Sequence, residues 1–194
     1  MAKNKKIGML VAFLLASGSL FAQEESRIYQ IGDTGPAGGI VFFDKGSFQD
    51  GWRYLEAAPA GYEFNAEWGG RGRDVPGTGT AVGSGRRNTQ LIVEFLNQRG
   101  ESNRAAQLCA NLEIKGFKDW FLPSIDELNH LCANRERVGG FMNTRYWSSS
   151  QHSRSSAKTM EFGYGFNGFV VITPGIQGDN NKFDSRRVRP VRVF

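Results

Sequence analysis

The chain has 194 residues, of which 40% are hydrophobic and 22% are charged, and its formal net charge is +5. This apolar content is enough to build a packed core, which argues against an intrinsically disordered chain. Three of the 24 basic residues lie in the first six positions, so the rest of the chain carries 21 basic and 19 acidic residues. So small an excess does not indicate a nucleic-acid partner.

The N-terminus has the layout of a cleavable secretion signal. A basic start (Lys3, Lys5 and Lys6) precedes an apolar run over residues 7–16, and small residues lead to Ala22. This order is typical of signal peptides, and the run is shorter than the ~20 residues that span a bilayer. We therefore expect residues 1–22 to be removed and residues 23–34 to form a short lead-in. The mature protein would be exported, to the periplasm, the outer surface or the medium, without a membrane span.

The first part of the mature chain predicts strands and a long loop. Residues 40–43 and 52–57 are short apolar runs separated by a turn, which favours a β-hairpin. Residues 63–87 are dominated by Gly, Arg and Thr, and loops of this length inside a domain often serve a function.

The middle of the chain predicts helices. Asn88 or Thr89 would cap an amphipathic helix, and Ser102 would cap a second helix or the second half of a broken one. Ser124 and Glu127 have the spacing of a capping box at the start of a further helix.

The C-terminal part predicts strands again, so the order of elements indicates an α+β fold with an antiparallel sheet. Pro190 indicates that the closing strand lies at a sheet edge or carries a bulge. The expected segments are strands at residues 146–149 and 158–162, a turn at 163–168, a return strand at 169–173, a polar loop at 174–185 and a closing strand at 188–194.

The two cysteines, Cys109 and Cys132, leave two readings open. An even count in an exported protein permits one disulfide, and two buried free thiols are the alternative.

Motifs for catalysis or cofactor binding are weak. The pattern G-x-G-x-x-G at residues 163–168 precedes an apolar strand, whereas a dinucleotide site needs a helix there. The serines at 148–150 lack a nucleophile elbow, and the two His and two Cys lack zinc-site spacing. Residues 178–181 with Asp184 are interpreted as a solvated turn rather than a calcium site. We expect neither catalysis nor a cofactor.

An ordered set of segments resembles the Lcl C-terminal domain family, a bacterial family of mostly unassigned function. The resemblance covers about residues 35–194, and it rests on residues 105–109, 116–124, 127–128, 146–150 and 187–192. It implies a C-type-lectin-like fold, with two or three helices packed on a small antiparallel sheet and long loops forming the ligand face.

The resemblance also implies roles for residues. Those expected to be structural are Asp119, Trp120, Pro123, Ser124, Glu127 and Trp147. Those expected to bind a ligand, from the loops at 151–156 and 174–185 and the position that follows, are Arg154, Asp179, Asn180, Asn181, Lys182 and Arg186.

The function that the resemblance implies is adhesion or ligand binding without catalysis, and the namesake adhesin's domain binds sulfated glycosaminoglycans. The expected partners are acidic or sulfated glycans or a surface protein. The Glu-Pro-Asn and Trp-Asn-Asp motifs of calcium-dependent lectins are absent, and so is the collagen-like stalk. Two alternatives remain: a structural envelope protein with no soluble ligand, and an enzyme resembling formylglycine-generating enzymes.

Overall fold

The computed structural model describes residues 27–166 and 171–194, and this part of the chain is α+β. The expected signal at residues 1–22 lies outside the described residues, as do residues 167–170 of the expected turn and return strand. No helix in the described ranges is long and apolar enough to cross a membrane.

The helices are α1 (Gly85–Asn97), α2 (Ala105–Ala110), α3 (Ile125–Ala133) and α4 (Arg135–Val138), with a 3-10 turn at Ala60–Tyr62. The strands are β1 (Ile40–Gln49), β2 (Trp52–Ala57), β3 (Phe64–Ala66), β4 (Arg145–Gln151), β5 (Ser156–Glu161), β6 (Gly165–Phe166), β7 (Val171–Ile172), β8 (Gln177–Asn181), β9 (Arg186–Val188) and β10 (Val191–Val193).

The strands form more than the one antiparallel sheet that the sequence indicates. A three-stranded sheet has the order β1-β2-β10, a five-stranded sheet has the order β3-β9-β4-β5-β8, and β6 pairs with β7. The predicted hairpin of β1 and β2 is present. One pair departs from the expectation, because β4 and β9 are parallel, with Tyr146 opposite Arg187.

Pro190 separates two strands rather than interrupting one. The expected closing strand is split into β9 in the five-stranded sheet and β10 in the three-stranded sheet. Proline has no N–H to donate to a ladder, and here its carbonyl accepts a hydrogen bond from Ala58 N at 2.9 Å. The chain therefore changes sheets at this proline.

Helix α1 begins earlier than its predicted caps. Its N-cap is Ser84, and both Asn88 and Thr89 are buried within the helix. The Asn88 side chain holds the backbone of Gly79 through two hydrogen bonds of 2.8 Å, and Thr89 Oγ1 accepts one from Leu122 N at 3.0 Å. These polar residues therefore fasten the helix to neighbouring segments instead of starting it.

Three segments expected to be loops or turns contain strands. Strand β3 lies within residues 63–87, β6 lies within residues 163–168, and β8 lies within residues 174–185. Helix α2 has Arg104, not Ser102, as its N-cap, and it is separate from α1. The capping box of α3 is present: Ser124 Oγ accepts from Glu127 N at 3.2 Å, and Glu127 Oε2 accepts from Ser124 N at 2.7 Å.

The two cysteines are buried as free thiols, so the disulfide reading is wrong in this structure. Cys132 packs in a core cluster with Leu128 and Tyr146, whereas Cys109 packs in a different cluster with Ile92 and Trp147. The two side chains therefore lie in separate parts of the core.

Candidate functional site

A polar cavity of about 320 Å³ lies at one end of the five-stranded sheet. We call it the sheet-end cavity. Its walls come from the start of β4, the end of β5, strand β8 and the first residue of β9. The residues that line it include Asn143, Arg145, Glu161, Tyr164, Asn180 and Arg186.

Arg145 and Glu161 form one wall of the cavity. They are directly opposite in the antiparallel pairing of β4 and β5, and Arg145 Nε lies 3.4 Å from Glu161 Oε2. Glu161 Oε1 also accepts a hydrogen bond from Gly163 N at 2.9 Å. Beside this ion pair, the side chain of Arg145 makes one hydrogen bond within the described residues, a long one from Nη1 to Thr159 Oγ1 at 3.5 Å. A guanidinium has five N–H donors, so most of those on Arg145 are not used by the protein.

Gly178 lets Arg145 reach the cavity. A Cβ built at this position would overlap Arg145 Nη1 and would lie 2.9 Å from Arg145 Cζ. Glycine is needed here for space rather than for an unusual backbone angle. The guanidinium therefore lies across β8 at its one position without a side chain.

Arg186 also lines the cavity, and a chain of hydrogen bonds connects it with Arg145. Thr159 Oγ1 donates to Asn180 Oδ1 at 2.9 Å, and Asn180 Nδ2 donates to Asp184 Oδ2 at 3.3 Å. Arg186 Nη2 donates to the same Asp184 oxygen at 2.9 Å. Arg186 Nε is buried and has no hydrogen-bond partner among the described residues.

The cavity lining includes one aromatic side chain, and two exposed apolar residues adjoin lining residues. Tyr164 lines the cavity with 60% of its surface exposed, and its hydroxyl accepts a hydrogen bond from Arg135. Met142 precedes the lining residue Asn143 and is also exposed. Ile176, exposed as well, bonds through its carbonyl to Glu161 N at 2.9 Å. Most small-ligand sites are lined mainly by apolar and aromatic side chains, so this cavity is more polar than usual and suits a polar ligand.

The ligand residues predicted from the sequence divide into two groups. Asn180 and Arg186 line the cavity. Arg154 instead pairs with Asp74 at 2.8 Å, and Asp179 lies 3.5 Å from His152. Asn181 accepts a hydrogen bond from Phe183 N in the turn that follows β8.

Lys182 is fully buried, which corrects its interpretation as a surface ligand contact. Its ammonium donates to Gln151 Oε1 at 2.7 Å and to the Arg73 carbonyl at 3.0 Å, and it lies 4.5 Å from the centre of the Trp68 ring. Within the described residues no carboxylate forms an ion pair with it. Burial lowers the pKa of Lys182 to about 8.

The remaining cavity residues were missed because they lie in or next to strands rather than in the long loops. Asn143, Arg145, Glu161 and Tyr164 come from the ends of β4 and β5 and from the adjoining segments. If the pairing of β4 with β5 had been predicted, it would have placed the opposite charges of Arg145 and Glu161 directly across from each other. Such a cross-strand charge pair is a signal that the sequence offers. The pairing itself was not predicted residue by residue.

The described ranges contain no group of three or more His, Cys, Asp or Glu side chains that could hold a metal ion. No protein-family model matches the chain, and no match was found among the curated proteins.

Proposed function

We propose that the mature chain is an exported, non-catalytic binding domain that contacts a glycan through the sheet-end cavity and the loops around it. The observation that carries the proposal is the pair of guanidiniums, Arg145 and Arg186, which line one polar cavity, where the described residues leave most of the Arg145 donors unused. Export rests on the signal-like sequence of residues 1–22.

The chemistry of the cavity supports a ligand rich in hydroxyl groups and carrying negative charge. Guanidinium groups bind carboxylate and sulfate oxygens through two parallel hydrogen bonds. Asn143 and Asn180 offer amide donors and acceptors, and the exposed ring of Tyr164 offers a flat surface against which a sugar ring can pack.

The proposal includes the family and the fold: a domain similar to the Lcl C-terminal domain family, with a C-type-lectin-like fold. It is supported by the two separate helices α1 and α3, the paired sheets and the irregular segments that connect them. Its motif residues also have structural contacts: Asp119 pairs with Arg192 at 2.8 Å, and Trp147 Nε1 donates to the Ala66 carbonyl at 3.0 Å.

The test is binding of the mature protein (residues 23–194) to a panel of neutral, carboxylated and sulfated glycans, with and without a calcium chelator. We expect binding to charged glycans only, weakened by salt and unaffected by the chelator. Binding that disappears with the chelator would contradict the calcium-independent part of the proposal. No binding to any glycan would refute the proposed function and would favour the structural envelope protein.

A further inference from the structure

We infer that the glycine-rich loop (residues 69–84) carries a second cationic contact, formed by Arg71 and Arg73 above the buried Lys182, and that one extended anionic glycan reaches both this loop contact and the sheet-end cavity. The inference rests on the proposed glycan-binding function and adds that the ligand is a chain with at least two charged residues.

The backbone of the glycine-rich loop is fastened to the end of the five-stranded sheet. Lys182 Nζ donates to the Arg73 carbonyl at 3.0 Å and to Gln151 Oε1 at 2.7 Å. The same Gln151 oxygen accepts a hydrogen bond from Val75 N at 2.8 Å. The side chains at residues 71–74 are exposed on this fixed backbone, so binding a partner through them requires little ordering of the loop.

The exposed face of the loop is positively charged. Within the described residues Arg71 and Arg73 form no ion pair, and the Arg71 guanidinium lies 5.0 Å from the centre of the exposed Phe183 ring. Asp74 is the one carboxylate at residues 71–74, and Arg154 pairs with it at 2.8 Å. In this part of the chain the two loop guanidiniums therefore lack a counter-ion, which an anionic ligand would supply.

Lys182 adds a buried charge beneath the loop. Its ammonium is fully buried, and the acidic groups whose charges act on it, Asp74 and Glu101, are already paired with Arg154 and Arg104. A buried charge is screened less by water and salt than an exposed one. An anion on the outer side of the loop would therefore interact with this ammonium as well as with the arginines.

The loop contact and the cavity lie along the same face of β8. The pairing of β5 with β8 runs through Gly178 and Asn180, and Lys182 N donates to the Ser155 carbonyl at 2.9 Å, which continues the same register. Side chains two residues apart in a strand share a face, so Lys182 follows Asn180, which lines the cavity. At ~3.3 Å per residue, Lys182 lies about 13 Å along the strand direction from Gly178. A glycan of several residues can span this distance, whereas a single sugar cannot.

The first experiment measures, by calorimetry, how the mature protein binds galacturonic acid oligomers of two and eight residues. We expect the octamer to bind at least about tenfold more tightly than the dimer, because a second contact on the same chain is intramolecular. The double variant Arg71→Gln/Arg73→Gln should lose most of this gain and keep its affinity for the dimer. A longer chain also offers more positions for binding, so the comparison between variants decides rather than the comparison between lengths.

The matched control is Arg86→Gln/Arg87→Gln, which removes the same net charge. Both arginines are exposed in the first turn of α1. The loop contact lies near the other end of this helix, because a Cβ built at Gly70 would be 3.1 Å from the Phe95 ring. We expect the control to bind both oligomers like the wild type.

The second experiment uses the charge of Lys182 to report on the loop contact. Burial lowers the pKa of Lys182 to about 8, so its charge is lost between pH 7.5 and 9.5, whereas arginines stay charged and histidines titrate mainly below this range. An anion on the loop favours the charged ammonium, so the octamer affinity of the wild type should fall by about threefold or more over this range. Lys182→Met should lack this fall, and the other groups that titrate here are the same in both proteins.

The remaining outcomes separate this inference from the proposed function. If the Arg71→Gln/Arg73→Gln variant binds the octamer as tightly as the wild type, while Arg186→Gln weakens binding of both oligomers, the loop contact is refuted and the proposed function stands. If the wild type binds neither oligomer, both are refuted.

An equal loss of octamer affinity in the control variant would indicate attraction by net charge alone and would refute the loop contact. The same pH dependence in the wild type and in Lys182→Met would overturn the part assigned to the buried charge. If Lys182→Met does not fold, the two arginine variants still decide, because the side chains that they change are exposed.

Discussion

Arg192 and Asp119 form a two-pronged ion pair that connects the last strand to the segment before helix α3. Arg192 Nε lies 2.8 Å from Asp119 Oδ1, and Arg192 Nη2 lies 3.0 Å from Asp119 Oδ2. The remaining nitrogen of the guanidinium, Arg192 Nη1, donates to Oε1 of the buried Glu56 at 2.6 Å. Glu56 in turn accepts hydrogen bonds from Ala37 N and Gly39 N. One arginine therefore joins the turn at residues 35–39, strands β2 and β10 and the segment around Asp119.

We predict that Arg192→Met destabilises the protein by about 3–5 kcal/mol, because it leaves the buried Glu56 carboxylate without its cation. Asp119→Asn should cost less, since Arg192 keeps Glu56 as a partner. Chemical denaturation measures both. The matched control is Arg53→Met, which breaks a pair of the same geometry with Asp44 (2.8 and 2.9 Å) that is partly exposed on the β1–β2 hairpin. If Arg53→Met lowered the free energy of unfolding as much as Arg192→Met, the burial of Glu56 would not be the cause of the larger loss.

The Glu127 carboxylate accepts hydrogen bonds from backbone amides at two helix N-termini and so holds them together. Its Oε1 accepts from Gly83 N at 2.8 Å and from Gly85 N at 3.4 Å, at the start of α1, and its Oε2 accepts from Ser124 N at the start of α3. Burial raises the pKa of this carboxyl, and the amide hydrogen bonds act in the opposite direction. We predict that Glu127→Ala costs about 1–3 kcal/mol, since it leaves buried N–H groups unpaired.

The measurement for Glu127 is thermal or denaturant unfolding, together with hydrogen exchange of the Gly83 and Gly85 amides. Glu94→Ala on the exposed side of α1 is the control. Slow exchange at Gly83 and Gly85 in the Glu127→Ala variant would show that the carboxylate does not hold these amides.

The contribution of Lys182 to the free energy of unfolding changes with pH in mildly alkaline solution. Its pKa is about 8 in the folded protein, because burial disfavours the charged ammonium, and it returns to the usual lysine range, near 10.4, on unfolding. Between these values the unfolded state binds more protons, so this residue's contribution makes the free energy of unfolding rise with pH. Asp74 and Glu101 are the acidic groups whose charges oppose the lowering of its pKa.

We therefore predict that the wild type gains stability relative to Lys182→Met as the pH is raised from 8 to 10, with little relative change between pH 6 and 7.5. Denaturant unfolding at each pH measures the difference, and Lys118→Met, at an exposed lysine, controls for the loss of a surface charge. A relative loss of stability of the wild type over this range would contradict the burial of a charged Lys182.

The cysteines should behave as core residues. Burial raises the pKa of both thiols, and the Cys132 thiol donates to the Glu161 carbonyl at 3.4 Å. We predict that a thiol reagent modifies neither cysteine in the folded protein and modifies both in denaturant, and that a reductant leaves the melting temperature unchanged. A melting temperature lowered by the reductant would indicate a disulfide.

The sequence predicted those parts of the fold that depend on local signals. The α3 capping box needs only Ser124, Glu127 and the apolar spacing after them, and it is present. The start of α1 was wrong because it depends on a carboxylate that is distant in sequence, Glu127, which accepts the Gly83 and Gly85 amides. Strand β8 was missed because its sequence, QGDNN, has turn-like residues and becomes a strand only by pairing with β5.

The residues that line the candidate cavity were only partly among those predicted to bind a ligand. Asn180 and Arg186 were among them because they lie in or next to a segment rich in polar residues. Arg145 and Glu161 were missed because their meeting depends on the register of β4 with β5. Lys182 was placed wrongly, because a lysine in a polar segment is usually exposed, and here the ring of Trp68 and the side chain of Gln151 enclose it.

An amide chemical-shift titration of the mature protein with a short carboxylated oligosaccharide tests most directly whether the sheet-end cavity is the ligand site. The account predicts saturable shifts concentrated at residues 143–145, 161–164 and 178–180, and their loss in Arg186→Gln. Shifts confined to the glycine-rich segment at residues 69–84, or no saturable shifts at any residue, would contradict it.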